Sequence, residues 1–155
     1  MIVPKQSLHP QLQQDCFIVG QFPLCLLLLL NDSNYPWFIL LPQREHPCNH
    51  SDDHSDEGLR ELHQLSERDQ QQFMRESSAL ASCIEQTFKA DKINIAALGN
   101  MVPQLHIHHI VRHTSDAAWP APVWGKVSAV PYSPDDAEEI CQRMQKLLAD
   151  HGLEA

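Results

Sequence analysis

The residues best suited to chemistry sit in one short run, Gln104-Leu105-His106-Ile107-His108-His109-Ile110-Val111, where polar and aliphatic side chains alternate. Such alternation has the period of a β-strand, and it sets Gln104, His106 and His108 on one face with Leu105, Ile107 and His109 on the other. Two imidazoles and an amide then stand roughly 7 Å apart along one surface. A core strand has no use for that row, because an imidazole costs free energy to bury unless it is hydrogen-bonded. A neutral imidazole offers a nitrogen lone pair at neutral pH, and two of them at i, i+2 could either attack an electrophile or share a metal ion.

The metal reading needs a third ligand. Residues 110 to 115 contain no Asp or Glu, which removes the usual carboxylate partner at short spacing. Donor types also occur in His46, Cys48, His50 and His54, but the stretch from His46 to Gly58 is acidic and aperiodic, so it reads as a solvated loop. His109 points away from the polar row and is expected to be packed and hydrogen-bonded under a helix, while His113 lies past the strand as a loop residue.

The elements that must position these groups follow from hydrophobic periodicity. The first fifteen residues are polar and proline-containing and read as a surface arm. Cys16 to Gly20, Leu24 to Leu30 and Trp37 to Leu41 read as three strands, with turn chemistry at Asn31-Asp32-Ser33-Asn34 and a stop at Pro42. Ser66 is a helix N-cap followed by Glu67 and Asp69, and Phe73, Ser77, Leu80, Ile84 and Phe88 recur at helical spacing. Ile93 to Leu98 and Leu105 to Val111 are two further strands around a Gly99-Asn100-Met101-Val102-Pro103 turn. The segment Trp119 to Gly125 holds two prolines and is a connector, and a last helix starts at Ser133 and Pro134 with Ile140, Cys141, Met144, Leu147 and Leu148 on one face. Strands grouped apart from helices predict an α+β domain: an antiparallel meander of about five strands, with one main helix and a C-terminal helix on one face. The other face is then open to a ligand.

Composition narrows the function classes. The 155 residues fit one domain, 1–155, with a core over about 8–112 and a connector plus helix over 113–155. A net charge of −9 repels a nucleic-acid polymer, whereas a small nucleotide can be held by a few local groups. The five cysteines are scattered and unpaired in pattern, no secretory leader is recognisable, and the apolar run Leu24 to Leu30 is too short for a membrane span. The expectation is a cytoplasmic protein with no membrane partner.

The polar strand resembles the His-φ-His-φ-His-φ-φ signature of the histidine-triad (HIT) superfamily, φ being apolar. Asn94-Ile95-Ala96-Ala97-Leu98-Gly99-Asn100 resembles the Asn…Gly-Gln segment that precedes that triad. Trp37-Phe38-Ile39-Leu40-Leu41-Pro42 resembles the family's His-φ-φ-φ-φ-Pro strand. The resemblance covers roughly residues 8 to 112 and is to a variant branch similar to bacterial diadenosine tetraphosphate hydrolase-like HIT proteins. Gln104 replaces the first triad histidine and Trp37 the histidine of the third strand.

The resemblance implies His106 as a nucleophile toward the α-phosphate of a nucleotide and His108 as a phosphate ligand. It implies that Gln104 orients the nucleophile or binds an oxygen, and that Asn31 or Asp32 binds the ribose. Backbone N–H groups near Asn100 and Met101, together with Asn94, Trp37 and Trp124, complete the expected substrate-binding set. It further implies a homodimer, in which Trp119 and Trp124 either pack the core or reach the partner's pocket. No cofactor is expected in the chemical step. The substrate would be a purine nucleotide conjugate, either a dinucleoside polyphosphate or a nucleoside phosphoramidate. The alternatives are a nucleotide-binding module without turnover and a metal-binding protein using His106 and His108.

Overall fold

A computed structural model describes residues 6–44 and 58–155. Five strands form one antiparallel sheet: β1 (Cys16–Gln21), β2 (Cys25–Leu30), β3 (Trp37–Pro42), β4 (Lys92–Ala96) and β5 (Ile107–Arg112), in the order β1-β2-β3-β5-β4. The first three run as a meander. The β4–β5 hairpin then folds back so that β5 pairs with β3 and β4 takes the edge. The strand bearing the histidines is therefore interior, with neighbours on both sides.

Among the described residues three α-helices accompany the sheet: α1 (Pro10–Asp15), α2 (Glu67–Phe88) and α3 (Pro134–Leu148). Ser66 and Ser133 cap α2 and α3, each hydroxyl accepting the backbone N–H three residues on, which satisfies one otherwise orphaned donor per helix. Glu67 and Asp69 in the first turn of α2, and Asp135 and Asp136 in that of α3, suit the positive end of the helix dipole. The bounds match the sequence reading closely for α2 and α3. The polar arm departs from it: Pro10 opens a short helix capped by the His9 side chain, and Leu8 and Leu12 are buried.

Alternation divides the core into two apolar layers, one on each face. Phe38, Leu40, Ile107 and Val111 face α2 and α3, packing with Phe73, Leu80, Ile84, Met144 and Leu148. Leu26, Leu28, Trp37, Ile39 and Ile110 face the opposite way, against Leu8, Leu12, Ala118 and Val123 from the arm and the connector. The face without helices is thus partly roofed by two irregular segments. The polar row lies on this face beneath them, with His106 7% and His108 8% exposed.

Two buried anchors hold this frame. Glu76 of α2 accepts hydrogen bonds from the backbone N–H groups of Leu24 and Cys25 at 2.8 and 2.9 Å, so the start of β2 is tied to the helix layer. At the other sheet edge, Gly20 lies under the C-terminal residues, and a Cβ there would stand 2.7 Å from the Leu153 side chain and 2.8 Å from the Glu154 carbonyl. That closeness lets Gln21 and Glu154 exchange two backbone hydrogen bonds, at 2.8 and 2.9 Å. Leu153, Met144 and Leu148 then close the helix-side core.

The loop expected from His46 to Gly58, with its histidines and Cys48, lies outside the described residues except at Gly58. No helix among the described residues is long and apolar enough to cross a membrane.

Candidate active site

The polar row forms as the period-two pattern requires, although regular strand pairing begins only at Ile107. His109, on the helix side and 0% exposed, lies 2.7 Å from the Ser77 hydroxyl of α2 and 3.2 Å from the Ile107 carbonyl. Burial pushes its pKa down to about 4, so it is a neutral, internally satisfied residue with no route to a ligand.

His106 and His108 lie on the opposite face, their rings 4.9 Å apart and edge to face. The Nδ1 of His106 sits 2.7 Å from the Gln104 carbonyl oxygen. A carbonyl can only accept, so Nδ1 carries the proton and the neutral ring keeps its lone pair on Nε2. Burial lowers the His106 pKa, and nearby His9 lowers it further, while the hydrogen bond to Gln104 opposes both. The neutral, nucleophilic form is accordingly favoured at neutral pH.

His108 takes a hydrogen bond at 2.9 Å on its Nδ1 from the indole N–H of Trp37. Trp37 opens β3 on the same face, two residues before Ile39, the register partner of His108, a diagonal that a long aromatic side chain can span. Trp124 of the connector closes the cluster, its ring 5.5 Å from Trp37 and 5.4 Å from His108 in T-shaped contacts. The connector tryptophan therefore packs on His108 of its own chain. Burial, followed by the neighbouring His106 and His109, pushes the His108 pKa down to about 3.

Two cavities are lined by neighbours of this row, Trp37 and Trp124 in one and Gln104 and His9 in the other, and neither His106 nor His108 is among their walls. One, of about 520 Å³, is walled by Asn31, Asp32, Tyr35, Trp37 and Trp124. The other, of about 360 Å³, is walled by Ser7, His9, Arg60 and Gln104. Both lie in the size range of small-molecule sites, about 300–1,000 Å³. The larger combines aromatic surface with the carboxylate and amide of the β2–β3 turn.

The remaining candidates are placed as follows. Gln104 turns its amide toward the arm: Oε1 accepts from the His9 N–H at 2.9 Å, and Nε2 donates to the Ser7 carbonyl at 3.1 Å. It orients His106 through its main-chain carbonyl instead. Asn31 and Asp32 both line the larger cavity, yet each also carries structure. The Asn31 side-chain oxygen accepts from the Tyr132 N–H, and Asp32 Oδ1 accepts from Asn34 and the Val130 N–H. Asn94 accepts from the Arg112 guanidinium at 2.7 Å. Asn100 and Met101 stand exposed on the β4–β5 loop, Met101 at 91%, and neither they nor Asn94 enter the walls of the two cavities.

His9 is the residue the sequence reading passed over. The pairing of Leu8 with Leu12 at helical spacing was the signal that the arm docks on the sheet. Among the described residues no three His, Cys, Asp or Glu side chains are grouped as a metal site.

An antiparallel sheet with an interior histidine strand, helices on one face and a ligand-sized cleft on the other defines a histidine-triad protein. The HIT domain model matches residues 11–115, and the chain belongs to that family. It is similar to a histidine triad protein from Marinobacter aquaeolei VT8, with 43% identity and a TM-score of 0.82 over 93% of this chain and 96% of that one. A histidine triad protein of Bradyrhizobium japonicum is 38% identical, with a TM-score of 0.80 over 90% of this chain and 96% of the other. One from Sinorhizobium meliloti 1021 is 35% identical, with a TM-score of 0.81 over 92% and 96%. No curated protein matches the chain.

Proposed function

We propose that the chain hydrolyses or transfers the nucleotidyl group of a purine nucleotide conjugate through a covalent intermediate on His106. The observation that carries this reading is the 2.7 Å contact from His106 Nδ1 to the Gln104 carbonyl, which leaves the Nε2 lone pair available for attack. Nε2 forms a bond to the α-phosphorus as the bond to the leaving group breaks, and the leaving group departs with the electron pair, taking a proton from solvent water where it is an amine. Water then adds to phosphorus, the N–P bond breaks, and a nucleoside monophosphate is released. His108 stands beside His106 to receive the charge that builds on the phosphoryl oxygens, while the nucleoside occupies the cavity between Trp37, Trp124 and Asp32. The step draws on no metal or cofactor.

Dinucleoside polyphosphates and nucleoside phosphoramidates are the substrate classes. The acting unit is a homodimer, a reading supported by the β4 sheet edge, which leaves Ile95 half exposed and is followed by exposed Leu98 and Met101.

EDTA-treated protein is expected to release AMP from diadenosine tetraphosphate or from an adenosine phosphoramidate without added metal. Turnover that appears only when zinc or manganese is supplied would overturn the reading, and AMP binding without any turnover would favour a binding module.

A pH profile supplies a second check. Attack requires neutral His106, and its pKa is lowered by burial and His9, so activity falls only as pH drops through that lowered value. The acid limb of kcat/KM, which reports the free enzyme, is therefore expected below the ordinary histidine value of about 6.5. A limb above it would contradict the site's electrostatics.

A further inference from the structure

The geometry points to Trp37 as a positioning residue that holds His108 as a fixed, uncharged hydrogen-bond donor toward the phosphoryl oxygens, an inference that rests on the reading of the site above. An indole N–H can donate and never accept. Its partner at 2.9 Å is Nδ1 of His108, which must therefore offer a lone pair, and in the neutral ring the proton resides on Nε2.

His106 is in the opposite condition, because its Nδ1 faces a carbonyl that can only accept. Two rings 4.9 Å apart are thus held in opposite tautomers. One presents a lone pair and the other an N–H. The pairing has a chemical logic: a lone pair attacks phosphorus, whereas an N–H stabilises the oxygens on which negative charge accumulates. With the tautomer of His108 reversed, its Nε2 lone pair would repel those oxygens.

The same contact keeps the donor uncharged. Protonating His108 requires a proton on Nδ1 and so the loss of the Trp37 bond. The titratable groups whose charge reaches the ring are His106 and His109 on its own strand, and both disfavour a second positive charge. From β3 it meets Trp37, with Ile39 as its register partner; β4 pairs it with Ala96, and the connector supplies Trp124. None of these carries a negative charge. A phenylalanine at position 37 would serve packing against Trp124 equally well, so the indole N–H is the feature that needs a reason. A histidine, which the family pattern resembled by this chain carries there, can donate or accept, whereas tryptophan commits its partner to one tautomer.

A donor to the phosphoryl oxygens acts on atoms that every substrate shares, independent of the leaving group. Trp37→Phe, which removes the donor and keeps an aromatic ring, is expected to lower kcat about tenfold or more. The 10²–10³-fold cost of deleting an oxyanion donor outright is the upper bound. The loss falls on kcat more than on KM and by the same factor for diadenosine tetraphosphate and adenosine phosphoramidate. Trp37→His, which restores a ring N–H, recovers most of it.

Nitrogen-15 NMR of the histidine rings in the unaltered protein reads the tautomer directly. The expected spectrum has His108 protonated at Nε2, unprotonated at Nδ1, and unchanged between about pH 8 and pH 5. A proton on Nδ1 of His108 overturns the inference, as does a Trp37→Phe enzyme within twofold of wild type. A loss concentrated in the phosphoramidate would also overturn it, because it would make His108 a proton source for the leaving group. Should the wild-type protein turn over neither substrate, the proposed function fails while the NMR measurement still decides what Trp37 does.

Discussion

Replacing His106 with alanine is expected to reduce kcat for AMP release by roughly 10⁴-fold or more, with AMP binding changed little. Removal of the attacking group in an enzyme that uses a covalent intermediate has cost on the order of 10⁶ in kcat, the remainder coming from binding and from charge stabilisation. The same asymmetry applies here. The larger cavity, where we place the nucleoside, is walled by Asp32, Trp37, Trp124 and their neighbours and not by His106, so the ground-state complex is expected to lose little. The neighbouring groups are otherwise engaged: His108 has its Nδ1 held by Trp37, His9 accepts the Gln11 N–H on its Nδ1, and the Gln104 amide is held by the arm. Rapid-quench measurement of AMP release, with isothermal titration of AMP in parallel, separates the two terms. A variant retaining a tenth of the wild-type kcat would show that the bond-making group is elsewhere.

The largest effect on stability is expected from Arg112→Ala, at about 3–5 kcal/mol, the usual cost of breaking a buried ion pair from one side. Arg112 closes β5 with 1% of its surface exposed. Its guanidinium donates to both Asp116 oxygens at 2.7 and 3.0 Å, to Asn94 at 2.7 Å, and to the Ala121 carbonyl at 3.0 Å. Alanine at 112 leaves Asp116 charged and almost without solvent, its side chain being 7% exposed in the pair. It also removes the tie between the sheet and the connector that carries Trp124. Urea denaturation measures the cost, and a double-mutant cycle with Asp116→Ala is expected to be strongly non-additive, because the second change removes the stranded carboxylate. A cost below about 1 kcal/mol would mean that the network is not a structural tie.

Much of the scaffold was legible in the chain. The caps at Ser66 and Ser133, the apolar stripes of α2 and α3, and the three strands before residue 43 are local features, and local physics places them within a residue or so. Less legible was the arm. Its polar composition suggested an exposed segment, yet Leu8 and Leu12 are buried against the sheet, because a pair of apolar side chains can dock on a face that the helices leave uncovered. Strand ends shifted for a similar reason: Leu105 and His106 have the alternation of a strand, but β5 pairs with β3 and β4 only from residue 107 onward.

The amino-acid sequence by itself determined which imidazoles share a face and which one goes to the core, because the period of a strand is two and allows no other assignment once one face is apolar. Only the tertiary structure decided what each nitrogen meets. Gln104 is claimed by Ser7 and His9, and His108 is claimed by Trp37, 71 positions away in the chain. Those partnerships follow from sheet order and from the docking of the arm and connector. Hydrogen-bond partners so far apart in sequence leave no periodic trace, so the chemical state of the two histidines emerges only when the strands are laid side by side.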